Sequence, residues 1–199
     1  MVVAEEFQTI TPRVFSWQAY EPRVKCDLSS VAILADDGLV LVDPIPLRDE
    51  ALEELIEGRL PTAIVLTSGN HERAADSYRK RFEIPIWASA AAEAALEIRV
   101  DHTLEEGATV PGKMRVVSLQ SAGPGEIALV GDGVICLGDA IINLASHGFS
   151  LLPARYCVNP QLLPNDLRKL LSYDFRILTF AHGDPLVEHA RERLQQLLA

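Results

Sequence analysis

Two tight turns constrain this chain more than any other feature. Asp36-Asp37-Gly38 lies between the β-rich runs 30–35 and Leu39–Val42. Gly131-Asp132-Gly133 lies between the runs 126–130 and 134–137. An Asp-Gly pair tolerates the positive φ angles of a two-residue loop, so each pair of runs reads as an antiparallel hairpin. A single doubly wound parallel sheet has no use for such turns, because parallel strands need long crossovers.

Around each hairpin the pattern alternates between strand and helix. In the first half, residues 48–58 form a helix with Leu52, Leu55 and Ile56 on one face and Gly58 near its end. Residues 62–67 are a strand. A second helix runs to about Phe82, with Asn70 as its expected N-cap. The basic cluster Arg79-Lys80-Arg81 suits that helix's C-terminal dipole. Residues 84–88 are a strand and 89–96 an alanine-rich helix. In the second half, 114–119, 126–130 and 134–137 are strands, 164–171 a helix, 177–180 a strand and 185–198 a closing helix. Two mixed sheets packed face to face with helices on the outer faces, a four-layer αββα sandwich of the α/β (α+β) type, accommodate this order without long unexplained loops.

With 199 residues the chain is expected to form one domain over 1–199, by the usual roughly 100–200 residues per domain. That length buries a core without help from a metal or disulfides. The three cysteines, Cys26, Cys136 and Cys157, are widely spaced, and reduced thiols are expected. A formal net charge of −10 argues against nucleic acid or an anionic membrane as partner. The acidic N-terminus is unlike a secretory signal, and no apolar run approaches the ~20 residues of a membrane span. A soluble, cytoplasmic protein is expected.

Ligands in layered α/β proteins gather at strand ends. Here those ends carry Asp43, the run Ser68-Gly69-Asn70-His71-Glu72-Arg73, the run Ser121-Ala122-Gly123-Pro124-Gly125-Glu126, Gly138-Asp139 and His182-Gly183-Asp184. In order and spacing, from about residue 11 to 185, they resemble the metallo-β-lactamase-fold superfamily. Leu41-Val42-Asp43 matches the end of the family's first strand pair. Thr67 to Arg73 falls where the family has Thr-His-x-His-x-Asp-His. Ser121 to Gly125 falls where it has Gly-His-Thr-Pro-Gly, Gly138-Asp139 is intact, and Ala181-His182-Gly183 matches its last Gly-His-Gly.

The resemblance implies two metal ions that activate a bridging water for hydrolysis. The residues present depart from that pattern. The first metal's three histidines align with Ser68, Asn70 and Ala122, and alanine has no donor atom. The second position aligns with Glu72, Arg73 and His182, with Asp139 shared, and a guanidinium cannot ligate a cation. Two outcomes are open. Glu72, Asp139 and His182, the candidate catalytic residues, hold one divalent ion such as zinc, manganese or iron. Alternatively Arg73 pairs with Glu72 and Asp139 and supplies the missing charge itself; this is the expected outcome, with no cofactor. Asp43 is expected to orient the loop. His71, one residue off a ligand position, is expected to cap or face solvent. Asp43, Ser68, Asn70, His71, Arg73 and Ala122 then line the pocket.

The expected function is a divergent metallo-β-lactamase-fold protein with little or no dinuclear-zinc hydrolysis. The alternatives are a mononuclear metal-dependent hydrolase of small esters or thioesters and a non-catalytic binding domain. A small-molecule ligand and a homodimer are the partners considered. Serine hydrolysis through Ser68 lacks an oxyanion motif. His102, His147 and His189 read as surface residues, although His147 lies where the family places variable loops. Trp17 and Trp87 read as packing residues. The proline-rich segment 151–164 is expected to form a flap over the pocket or a dimer contact.

Overall fold

The computed structural model describes residues 1–199. The first half gives β1 (Gln8–Thr11), β2 (Val14–Glu21), β3 (Cys26–Leu34), β4 (Leu39–Val42), β5 (Pro61–Val65), β6 (Ile86–Ser89) and β7 (His102–Leu104), with α1 (Asp49–Ile56), α2 (Ala75–Phe82) and α3 (Ala90–Glu93). The strands lie in chain order in one seven-stranded sheet. Pairs from β1 to β4 are antiparallel and those from β4 to β7 parallel.

The second half gives β8 (Thr109–Val110), β9 (Met114–Ser118), β10 (Ile127–Gly131), β11 (Val134–Cys136), the hairpin β12 (Ile141–Leu144) and β13 (Gly148–Leu151), then α4 (Leu163–Arg168), β14 (Ile177–Thr179) and α5 (Ala190–Leu197). Its main sheet runs β14-β11-β10-β9-β8, with β14 parallel to β11.

Both expected hairpins form. Gly38 takes φ +143°, and a Cβ there would sit 2.3 Å from the Leu60 carbonyl oxygen. At the second turn Asp132 (φ +49°) and Gly133 (φ +73°) both adopt the left-handed conformation that such a loop demands.

Strand alternation sorts the apolar residues into three cores. On β4, Leu39 and Leu41 pack outward with Leu52, Leu55, Ala75 and Tyr78 of the helices. Val40 and Val42 point the other way, into the core between the sheets. On β10, Ile127 and Leu129 join that inner core, while Ala128 and Val130 pack outward with Leu167 and Leu194. Both faces of each sheet are therefore covered, which explains why the strands are apolar at successive positions. This is the four-layer αββα sandwich.

Several helices are shorter than their periodicity suggests. α2 starts at Ala75 rather than at Asn70, because Arg73 takes a left-handed φ of +44°. α3 is one turn, capped by Ser89, whose Oγ accepts from the Ala92 amide at 3.1 Å. α5 starts at Ala190; before it, Leu186 is held in a bridge to Leu178. Trp17 is buried and donates to the Ile45 carbonyl at 2.9 Å. No helix is long and apolar enough to cross a membrane.

Candidate metal centre

The loops at the ends of β3–β5, β9, β11 and β14 converge at one edge of the sandwich. Asp43 follows β4 and is 2% exposed. One of its oxygens accepts from the Thr67 amide (2.8 Å), and the other is shared by the Thr67 hydroxyl and by Nδ1 of His71 at 3.0 Å. The expected orienting role of Asp43 thus acts on a specific imidazole.

That imidazole faces inward. His71 is 2% exposed, and its Nε2 lies 3.1 Å from Oδ1 of Asp139. The expectation that it caps or meets solvent is corrected: with two buried carboxylates on opposite sides of its ring, inward is the only direction that satisfies both nitrogens. His182 approaches the same Oδ1 with Nε2 at 3.1 Å, and its Nδ1 lies 2.9 Å from the Asp27 carbonyl oxygen. A carbonyl only accepts, so that Nδ1 carries the hydrogen. Both imidazoles are therefore anchored through Nδ1 and present Nε2 to one carboxylate oxygen. Donor atoms of His71, Asp139 and His182 all lie within 4.8 Å of one another.

Glu72 does not join this group. Its carboxylate accepts from the Glu97 amide at 2.8 Å, against the loop after α3. Arg73 pairs with neither Glu72 nor Asp139. Its Nη1 donates to the carbonyls of Ser29 (2.6 Å) and Asp43 (2.9 Å), and its Nη2 to that of Ala181 (3.0 Å). The left-handed φ at Arg73 aims the side chain beneath the site, where it adds a donor to the strand-end carbonyls of Ser29, Asp43 and Ala181, the last two of which also accept from the Ser30 hydroxyl and the Ser29 amide, respectively. The charge-replacing ion pair expected for Arg73 is corrected accordingly.

The remaining positions are equally specific. Ser68 is fully buried and its Oγ accepts from the Asn70 amide at 3.3 Å. Asn70 is exposed at the rim and donates through Nδ2 to Oδ2 of Asp139 at 3.3 Å. Ala122 is fully buried among apolar residues. Its carbonyl accepts from Val158 at 2.8 Å, so the proline-rich segment straps the Ser121–Ala122 turn. His102, His147 and His189 are exposed and away from the group, His102 stacking on Trp87 at 4.1 Å between ring centroids.

Two further residues join the site: Cys26, which the sequence marks only as a reduced thiol, and Glu126, the last residue of a strand-end run. Cys26 Sγ lies 3.5 Å from His182 Nδ1. Glu126, 1% exposed, accepts from the amides of Gly123 (2.9 Å) and Ala140 (2.6 Å). In the sequence it closes the strand-end run directly after Pro124-Gly125, and nothing there marks it as a buried acid.

Charge in the centre is strongly redistributed. Burial opposes the His71 cation, but the Asp139 and Asp43 charges outweigh it and carry the group up to about 9. Burial likewise opposes the Asp139 anion, yet the His71 charge and the two imidazole contacts hold it well below the usual carboxylate range. Burial, then the neighbouring Asp139 charge, pushes Glu126 up to about 8 against its two amide bonds.

His71 and Glu126 both bind a proton more tightly folded than unfolded, so stability falls as pH rises. The Glu126 contribution is lost between about 4.5 and 8, that of His71 between about 6.5 and 9. Chelator-treated protein is expected to lose on the order of a few kcal/mol from pH 6 to pH 9.5, using ~1.4 kcal/mol per unit. A thermal midpoint unchanged over that range would contradict this charge assignment.

A family model described as metallo-beta-lactamase superfamily matches residues 8–199. No curated protein matches the chain. Among solved structures, the chain is similar to the DIM-1 metallo-β-lactamase, with 16% identity, 98% of each chain covered and a TM-score of 0.77. It is also similar to a metallo-β-lactamase from Erythrobacter litoralis with β-mercaptoethanol in its active site, with 16% identity, 96% of this chain and 95% of that one covered and a TM-score of 0.77. A third similar structure is TTHA1623 in a di-iron-bound form, with 23% identity, 84% of this chain and 92% of that one covered and a TM-score of 0.64.

Proposed function

This chain belongs to the metallo-β-lactamase superfamily, and within it we propose a divergent member that has given up the dinuclear zinc centre and keeps a site for one divalent cation at His71, Asp139 and His182. The observation that carries this reading is the convergence of two Nε2 atoms on one oxygen, each 3.1 Å away. Neighbouring ligands of a cation with bonds near 2.1 Å sit roughly 3.0–3.4 Å apart. Both imidazoles also have Nδ1 anchored by an acceptor, the arrangement that fixes the tautomer of a metal-binding histidine.

The donor set does not fit two ions. Ser68 and Asn70 offer only neutral oxygen or amide groups, already engaged with each other and with Asp139. Ala122 offers none, and Arg73 is committed to main-chain carbonyls. Two histidines and one carboxylate suit manganese, iron or zinc, and iron is the metal in the TTHA1623 structure. Such an ion would supply Lewis-acid polarisation for hydrolysis of a small ester or thioester. The chain's own contribution is to orient His71 through Asp43, to fix His182 through the Asp27 carbonyl and to hold Asp139 between them.

Elemental analysis of protein purified without chelator, or reconstituted with Mn²⁺, Fe²⁺ or Zn²⁺, tests the reading. One ion per chain is expected. His71→Ala should abolish it and Glu72→Ala should leave it unchanged. Two ions per chain, none, or dependence on Glu72 would overturn it. The enclosure of the centre favours a second reading, a binding domain with an inert core. Ser68, His71, Ala122 and Asp139 are all buried, and beside Asp139 only the exposed Asn70 and the partly exposed edge of His182 reach the surface. Under that reading no metal binds and the imidazoles stay protonated against Asp139.

A further inference from the structure

Glu126 is a buried acid that the proposed centre does not use as a ligand. Its two oxygens accept from two amides in different strand-end loops. Oε2 takes the Gly123 amide at 2.9 Å, in the turn between β9 and β10. Oε1 takes the Ala140 amide at 2.6 Å, one residue beyond Asp139. The carbonyl of Ala140 is held separately, by the Leu152 amide at 3.1 Å.

The carboxyl is confined by two glycines. A Cβ at Gly123 would stand 3.1 Å from Glu126 Oε2, 3.1 Å from Asp139 Oδ2 and 2.7 Å from Ser68 Oγ. A Cβ at Gly138 would stand 3.2 Å from both Cδ and Oε1 of Glu126 and 2.6 Å from the Thr67 hydroxyl. Both close approaches exist because these positions lack side chains, and they leave the carboxyl little room to shift.

We propose that Glu126 is the positioning residue for Asp139. By bridging the Gly123 and Ala140 amides it fixes where the Asp139 side chain leaves the main chain, and so whether one oxygen can meet both His71 and His182. The proposal rests on the single-cation reading for its effect on metal, and on the metal-free geometry for its effect on the imidazoles. Glutamine cannot replace it, because both contacts are N–H donors and an amide offers only one acceptor, turning its NH₂ against the other.

The test compares wild type, E126Q and D139A. Mn²⁺ affinity is measured by titration, and the imidazole resonances of ¹⁵N-histidine-labelled, chelator-treated protein by NMR. E126Q is expected to weaken Mn²⁺ binding about 10- to 100-fold, the range for outer partners of metal ligands. It should also displace the Nε2 resonances of both His71 and His182, while D139A removes binding and both hydrogen bonds. If wild type binds no Mn²⁺, the single-cation reading fails, and the imidazole resonances still decide the role of Glu126. Should E126Q not fold, E126D keeps both acceptors but withdraws them by one bond. A folded variant of either kind with a lowered melting temperature, unchanged imidazole resonances and unchanged affinity would show Glu126 to be merely structural and overturn the proposal.

Discussion

Arg73→Met is expected to destabilise the protein by about 3–5 kcal/mol, the range for removing one partner from a buried charged network. The guanidinium joins Ser29 of β3, Asp43 after β4 and Ala181 after β14. These carbonyls belong to both sheets, so the side chain acts as a cross-sheet tie at the floor of the site. Methionine fills much of the same volume but donates nothing, so all three carbonyls lose the charged donor. Asp43 and Ala181 keep only the Ser30 hydroxyl and the Ser29 amide, respectively, and the buried Asp43 and Asp139 carboxylates lose a neighbouring positive charge. In a domain of this size ~1 kcal/mol moves the melting temperature by about 2–4 °C, so a drop on the order of 10 °C should appear. Arg73→Lys should fall between, because one ammonium cannot span the two ends of the fork. Urea unfolding measures both variants directly. A loss below about 1 kcal/mol for Arg73→Met would mean that solvent or main chain replaces the guanidinium, and the tie would be fictitious.

The same residue marks the limit of what local sequence encodes. The hairpins, the alternation on β4 and β10 and the layer order were legible because turn chemistry and strand periodicity are local. Asn70 also looked like a helix start for a sound local reason. Nothing near Arg73 reveals its left-handed backbone, because that conformation is held by carbonyls 44 and 108 residues away in sequence. The family likeness placed Asp43, Asp139 and His182 correctly at one strand edge. Carried over residue by residue, however, it assumes that each side chain keeps its direction. With α2 beginning only at Ala75, Glu72 turns to the Glu97 amide and His71 takes the inward place. The Asp43–His71 and His71–Asp139 contacts span 28 and 68 residues, and no short motif encodes them. Glu126 is legible as a strand-end residue but not as a buried acid bridging two amides, because only the folded chain brings the Gly123 and Ala140 amides and two glycines around it.

The largest functional effect is expected from Asp139. Oδ1 is the only atom shared by both imidazoles, and Oδ2 is held by Asn70. Asp139→Ala should therefore do two things. It removes the only anionic ligand, so metal binding should fall by more than the ~100-fold that losing an outer partner costs. It also leaves two anchored imidazoles without their common acceptor, which in chelator-treated protein should cost about 3–5 kcal/mol below pH 6.5, where both are charged. Asp139→Asn separates the two effects. Its amide oxygen can still accept from one Nε2 and its shape is unchanged, so it should fold while binding no metal. It should also lower the His71 titration from about 9 by more than one unit, because the Asp139 charge is the strongest influence holding that imidazole protonated. An NMR titration of His71 in chelator-treated Asp139→Asn measures this without reference to metal. If His71 still titrates near 9 there, Asp43 alone holds its proton, and the pairing with Asp139 on which the centre depends would have to be abandoned.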